Sequence, residues 1–240
     1  MLDLEAEKAL VAARAVNEIQ AGMLVGLGTG STSACAIRLL GARVAAGLQI
    51  EATATSLATE RLARALNINL RSFEDISIVD LTIDGADQID ANLRAIKGGG
   101  GALFREKIVA AASTRTIIIA DSSKLAPVLG VGQSLPLEVL PFAAAFVERC
   151  LREAGLAVSR RREPKGTLAV TDQQNYLFDV DFGAIHDPLQ LATWLASIPG
   201  VIEHGLFLSE INELFIADKG QVRVIVKNGN PPLDSPRLPS

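Results

Sequence analysis

RTIIIAD, residues 115–121, is the stretch on which the reading of the whole chain turns. Ile117, Ile118, Ile119 and Ala120 are apolar without alternation, and Asp121 closes the run. A short β-branched run of this kind suits a strand covered on both faces, as in a parallel sheet flanked by helices. Working back, IVDLTID (78–84), INLRSF (68–73), LQIEATA (48–54) and MLVGLG (23–28) read as further strands. Between them STSACAIRLLGARVAAG (31–47) and LATERLARAL (57–66) read as helices. A leading helix, capped by Asp3 with Glu5 and Glu7 in its first turn, is expected to end near Gly22. Alternating strands and helices with short connections predict an α/β fold with a doubly wound, mostly parallel sheet.

The character changes after Leu129. Pro136 and Pro141 bracket a short apolar stretch, and FAAAFVERCLREAG (142–155) reads as a helix. LAVSRRRE (156–163), GTLAVTD (166–172) and YLFDVDFG (176–183) read as strands. DPLQLATWLASIPG (187–200) reads as a helix capped by Asp187 with Pro188 at its first position. This order predicts a smaller inserted α+β domain at 131–204. VIEHGLFL (201–208) and QVRVIVK (221–227) are then expected to return to the first sheet, so that 1–130 and 205–240 form the larger domain. The tail NPPLDSPRLPS is expected to fray.

Composition narrows the function. The chain has 240 residues, 49% of them hydrophobic but only 4% aromatic, enough for a core of Ala, Val, Ile and Leu. Net charge is −4 and the longest basic run is Arg160-Arg161-Arg162, which argues against a nucleic-acid surface. Cys35 and Cys150 lack CxxC spacing and read as reduced, buried thiols of a cytoplasmic protein. The charged start MLDLEAEKAL does not suit a signal peptide, and Gly, Ser and Thr break the uncharged stretch 19–37 too often for a membrane span. His186 and His204 lie far from the polar clusters and suggest neither a metal site nor a Ser-His-Asp order.

Four polar clusters each follow a predicted strand, where ligands bind in open parallel sheets. Gly26-Leu27-Gly28-Thr29-Gly30-Ser31-Thr32 can cradle an anion at a helix N-terminus, or be a plain tight turn. It is neither a P-loop nor a dinucleotide fingerprint, which excludes an NAD-dependent oxidoreductase. Asp84-Gly85-Ala86-Asp87 offers two carboxylates for sugar hydroxyls or proton transfer; turn formation and a magnesium site are the alternatives. Lys97 and the amides of Gly98 to Gly101 can hold an oxyanion. Arg105, Glu106 and Lys107 open an otherwise apolar helix about 100° apart, so at least one faces inward. A dehydrated glutamate there can serve as a general base; three solvated charges are the alternative. Finally Asp121 can cap or orient, and Lys124 can meet a phosphate.

GLGTGSTS (26–33), TIDGADQID (82–90), KGGGGALFREKIVA (97–110) and IIIADSSKL (117–125) stand in the order and near the spacing of ribose-5-phosphate isomerase type A, and PGVIEHGLFL (199–208) fits too. The chain resembles that family over nearly its whole length. The resemblance implies a Rossmann-like sheet with a ferredoxin-like inserted domain, and interconversion of ribose 5-phosphate and ribulose 5-phosphate without metal or cofactor. It implies a homodimer or homotetramer whose ligand is a small sugar phosphate, with no nucleic acid and no membrane. By matched positions it makes Glu106 the base, and gives Asp84, Gly85, Ala86 and Asp87 the sugar hydroxyls and ring opening. Lys97 with Gly98, Gly99 and Gly100 would steady the enediolate; Thr29, Gly30, Ser31, Thr32, Lys124 and Lys8 would hold the phosphate. The chain departs from the family at Gln88, where DGADE is common, and at Thr171-Asp172-Gln173-Gln174-Asn175, where TDNGN is usual. Two rivals are a non-catalytic sugar-phosphate sensor and a coenzyme A transferase relative with a nucleophilic glutamate.

Overall fold

The computed structural model describes residues 4–227; the expected Asp3 cap and the proline-rich tail lie outside them. The chain opens with α1 (Leu4–Val16), β1 (Leu24–Leu27), α2 (Ser31–Ala45), β2 (Glu51–Ala54), α3 (Leu57–Ala65) and β3 (Val79–Asp84). A small hairpin, β4 (Gln88–Ile89) and β5 (Ala95–Ile96), precedes α4 (Leu103–Ala111) and β6 (Ser113–Asp121). Then come β7 (Leu135–Val139), α5 (Ala144–Glu153), β8 (Ala157–Arg160), β9 (Tyr176–Asp181), α6 (Pro188–Ala196) and β10 (Val201–His204). The last elements are β11 (Leu206–Phe207), β12 (Glu213–Asp218) and β13 (Gln221–Val226).

The first sheet has the order β13-β12-β6-β3-β1-β2, parallel except for the antiparallel edge β13. The all-apolar reading of 115–121 holds: Ile117, Ile118, Ile119 and Ala120 are buried between α1 and α2 on one face and the β11–β5–β4 side on the other. A second sheet, order β10-β7-β9-β8, is antiparallel throughout and packs α5 and α6 against one face. Its β-α-β-β-α-β chain order is that of the ferredoxin-like unit. The α6 cap is as expected: the Asp187 carboxylate accepts from Gln190 N at 2.9 Å, with Pro188 beginning the helix.

Several elements differ from expectation. INLRSF forms no strand, only a bridge from Leu70 to Ala52 at the edge of the sheet beyond β2. GTLAVTD likewise makes only isolated bridges at Leu168 and Val170. VIEHGLFL does not join the first sheet: β10 pairs with β7, and β11 pairs with β5 in a three-stranded patch. The return is made by β12, whose Leu214, Phe215, Ile216 and Ala217 are fully buried beside β6. The proline-bracketed stretch 135–139 is a central strand, β7, and α1 stops at Val16. Cys35 and Cys150 are free thiols but half-buried rather than buried.

Candidate active site

The carboxyl ends of β1, β3 and β6 and the hairpin β4–β5 meet at one cleft of about 200 Å³. Thr29 to Thr32, Gly85 to Asp87, Lys97 to Gly100, Glu106, Lys124 and Lys8 all line it. Asp84 does not reach its wall. It is 2% exposed, and its Oδ1 accepts from Thr29 N at 3.0 Å, Ser33 Oγ at 3.1 Å and Gly85 N at 2.7 Å. Gly28 makes this possible, since a Cβ there would stand 2.0 Å from that same oxygen. Asp84 therefore ties the β1 turn to the β3 turn, while Asp87 faces the cleft.

The four glycines after Lys97 have separate reasons. Gly98 and Gly101 have φ of +106° and +77°, which L side chains rarely adopt. A Cβ on Gly99 would meet Asp87 Oδ1 at 2.6 Å, and one on Gly100 would meet Thr29 Cγ2 at 3.3 Å. The Gly99 amide donates to Asp87 Oδ2 at 2.7 Å. Among the described residues the amides of Gly98 and Gly100 have no hydrogen-bond partner, so the loop offers two N–H groups beside the cleft.

Glu106 faces inward and is 4% exposed, so the solvated alternative fails for it. Lys97, 3% exposed, stands between two carboxylates: Nζ lies 2.9 Å from Asp84 Oδ2 and 3.5 Å from Glu106 Oε2. It also donates to Gly85 O at 2.5 Å. Burial pushes the Glu106 carboxyl up to about 8, with Asp84 and Asp87 adding to the shift and the Lys97 ammonium opposing it. Burial pulls the Lys97 ammonium down, but Asp84, Glu106 and Asp87 outweigh it and hold its pKa at about 12. The site thus joins an acid poised near neutrality to a cation charged at any working pH.

The matching family profile is that of ribose 5-phosphate isomerase A (phosphoriboisomerase A), over residues 51–221. The chain belongs to that family. Ribose 5-phosphate isomerase A of Sphingopyxis alaskensis is 54% identical over 224 residues, 93% of this chain and 97% of the relative. The isomerase structure from Plasmodium falciparum is 37% identical with a TM-score of 0.90, covering 94% of this chain and all of its own. A D-ribose-5-phosphate isomerase in complex with phospho-erythronic acid is 32% identical, with a TM-score of 0.90 and coverage of 94% and 100%.

Within this isomerase A chain, some residues stand apart from their expected surroundings. The Thr29 hydroxyl turns from the cleft to Thr55 Oγ1 at 2.8 Å and Ser56 Oγ at 2.9 Å. Ser31 and Thr32 keep hydroxyls without a partner among the described residues, at the start of α2. Gln88 is not beside the Asp84–Asp87 pair in function: its amide bridges Gly130 N at 2.6 Å and Val131 O at 3.0 Å. The TDQQN turn wraps the buried Glu138, which accepts from Thr171 Oγ1 and Asn175 Nδ2, and burial raises that carboxyl's pKa. Asp172 in the same turn accepts from Leu57 N at 2.8 Å, fastening the second sheet's hairpin to the start of α3.

Sequence reasoning passed over Ser33 and Phe207, the latter 1% exposed with its ring centroid 5.3 Å from Lys97 Nζ. Ser33 lay within the helix-start hydroxyl motif; nothing local marks Phe207, which β11 brings in by pairing with β5. Lys107 turns away from the cleft to Glu203 and the neutral His204, whose pKa burial and Lys107 depress to about 4. A larger hollow of about 450 Å³ between α3 and α4 contains neither Asp84 nor Glu106. Among the described residues no helix is long and apolar enough to cross a membrane, and no three His, Cys, Asp or Glu side chains cluster to hold a metal ion.

Proposed function

We propose that this protein interconverts ribose 5-phosphate and ribulose 5-phosphate by proton transfer between C1 and C2, with Glu106 as the base and an enediolate as intermediate. The observation that carries this reading is the buried triad of Glu106, Lys97 and Asp84 beside a glycine loop with unsatisfied amides. Lys97 has three N–H bonds and three acceptors around it, in Asp84, Gly85 and Glu106. When Glu106 takes the proton from carbon its charge vanishes as a negative charge appears on the substrate oxygen. The ammonium, held 3.5 Å from a Glu106 Oε2 that has no hydrogen-bond partner, is then free to turn one N–H to that oxygen, assisted by the Gly98 and Gly100 amides. Charge moves over a short distance while the fixed donors stay in place, which is the economy of electrostatic catalysis.

Asp87, on the cleft wall, is assigned the sugar hydroxyls and ring opening; Asp84 is assigned the placement of Lys97. The phosphate is assigned to the N-terminus of α2 with the Ser31 and Thr32 hydroxyls, and to Lys124 and Lys8. The complex of a related isomerase with phospho-erythronic acid supports a phosphorylated four-carbon acid, whose planar carboxylate resembles an enediolate, as a ligand here. The proposed division is a catalytic domain of 1–130 and 205–240 with the inserted domain at 131–204, in a cytoplasmic homodimer or homotetramer.

Incubation with ribose 5-phosphate in D₂O is expected to give ribulose 5-phosphate carrying deuterium at C1, and label at C2 of recovered aldose. Ketose formed with complete retention of the substrate hydrogen, and no exchange at any stage, would count against an exchanging carboxylate base. Lys124→Ala is expected to raise KM for ribose 5-phosphate about tenfold, as befits one lost charge-assisted contact. Unphosphorylated ribose, assayed in parallel, should show no such change; equal losses with both sugars would refute the phosphate assignment.

A further inference from the structure

Arg161 follows β8 in the inserted unit, yet its guanidinium ends on the glycine loop of the larger one. Its Nη1 donates to Gly98 O and to Gly99 O, each at 3.0 Å. The remainder of the fork is fixed: Nε donates to Asp179 Oδ2 at 2.9 Å and Nη2 to Asp179 Oδ1. The backbone is fixed as well, with Arg161 N donating to Leu177 O at 2.8 Å and Ala169 N donating to Arg161 O at 3.0 Å. A planar guanidinium gripped by a carboxylate on one edge cannot swing its remaining N–H groups elsewhere.

In a planar trans peptide the carbonyl oxygen and the next residue's N–H point in opposite directions. Holding Gly98 O therefore aims the Gly99 amide the other way, where it meets Asp87 Oδ2 at 2.7 Å. Holding Gly99 O likewise aims the Gly100 amide away from Arg161, on the loop that lines the cleft. Arg161 itself does not line that cleft; it borders a separate hollow of about 310 Å³ behind the loop. Gly98 O also accepts from Gly101 N at 2.9 Å, so the turn itself shares in holding the first peptide. Gly99 O has no partner other than Arg161 among the described residues, and its easily rotated glycine peptide depends on that grip.

We infer that Arg161 is a positioning residue of the isomerase reaction: it sets the two glycine peptides so that their N–H groups serve Asp87 and the reacting oxygen. The inserted unit thereby takes part in the chemistry without touching substrate. This rests on the reading of residues 97–100 as the oxyanion loop.

The test compares wild type, Arg161→Ala and Arg161→Lys with ribose 5-phosphate and its C2-deuterated form. Arg161→Ala is expected to lose about 10²-fold in kcat, the scale of a misplaced catalytic group. KM should be little changed, and the deuterium isotope effect at least as large as in wild type because proton abstraction is the impaired step. Arg161→Lys keeps the charge but not the fork and should restore little; added guanidinium ion should restore part of the Arg161→Ala rate. Unchanged kcat, or a loss that only follows the folded fraction with no rescue, would overturn the inference. Where Arg161→Ala fails to fold, Asp179→Asn loosens the same fork and should show a smaller kcat loss with the same isotope signature; wild-type kcat there would overturn it equally. Turnover retained by Glu106→Gln would instead sink the base assignment, and the Arg161 comparison stays readable because it uses only differences from wild type.

Discussion

Glu106→Gln is expected to reduce kcat by about 10²–10⁴-fold while ribose 5-phosphate still binds, the span that a positioned general base contributes. Glutamine fills the same volume on α4 beside Lys97, so the cradle of amides and the proposed phosphate subsite should persist. Steady-state kinetics with a direct binding measurement separates the two: weakened binding with turnover intact would mean that Glu106 holds substrate rather than moving its proton. Stability supplies an independent readout. The folded-state pKa of Glu106 is raised from 4.5 to about 8, so its protonated form favours folding fully below pH 4.5. That contribution is lost as pH rises through about 8. The stability of Glu106→Gln relative to wild type should therefore grow between pH 5 and 8, as followed by thermal unfolding. A constant difference across that range would place the carboxyl in solvent and remove the basis for the assignment.

The sheet was legible because its strands follow simple rules. The isoleucine run of β6 and the strand-plus-glycine ends of β1 and β3 each carry their own signal, and each of these strands places a polar turn at its carboxyl end. What escaped reading depends on partners distant in sequence. The short apolar stretch around Pro136 was given no strand, yet β7 is central in the second sheet because its Leu135, Leu137 and Val139 are sealed by β9, β10 and the helices. The two-residue strands β4, β5 and β11 have no period to detect, although they carry Lys97 and Phe207 to the site. Asp84 shows the same limit within the site. Its residue type marked it for chemistry with sugar hydroxyls, but only the packing of Gly28 and Lys97 against it reveals a buried post rather than a cleft wall.

Lys97→Met is expected to be the most damaging single change, because it acts on the fold and the chemistry together. Methionine approximates the length of the lysine but removes the ammonium that lies 5.3 Å from the Phe207 ring centroid and leaves the Asp84 carboxylate, 2% exposed, without its cation. Breaking a buried ion pair from one side typically costs about 3–5 kcal/mol. The lower end is expected here, since Asp84 Oδ1 keeps its three donors from Thr29, Ser33 and Gly85. Denaturant unfolding measures this directly, and a variant as stable as wild type would show that the pair is dispensable. On the chemistry, loss of one oxyanion donor is expected to lower kcat by about 10²–10³-fold. The pH profile carries the distinguishing sign. Lys97 is the one group opposing the upward shift of Glu106, while Asp84 and Asp87 reinforce it. Without the ammonium the base should ionise at still higher pH, so the acid limb of kcat/KM should move alkaline relative to that of wild type. Residual activity would then climb across a range where the wild-type profile has levelled. A limb that stays in place, or moves toward acid, would mean that Lys97 does not set the charge on Glu106, and the transfer of one N–H from base to enediolate would lose its support.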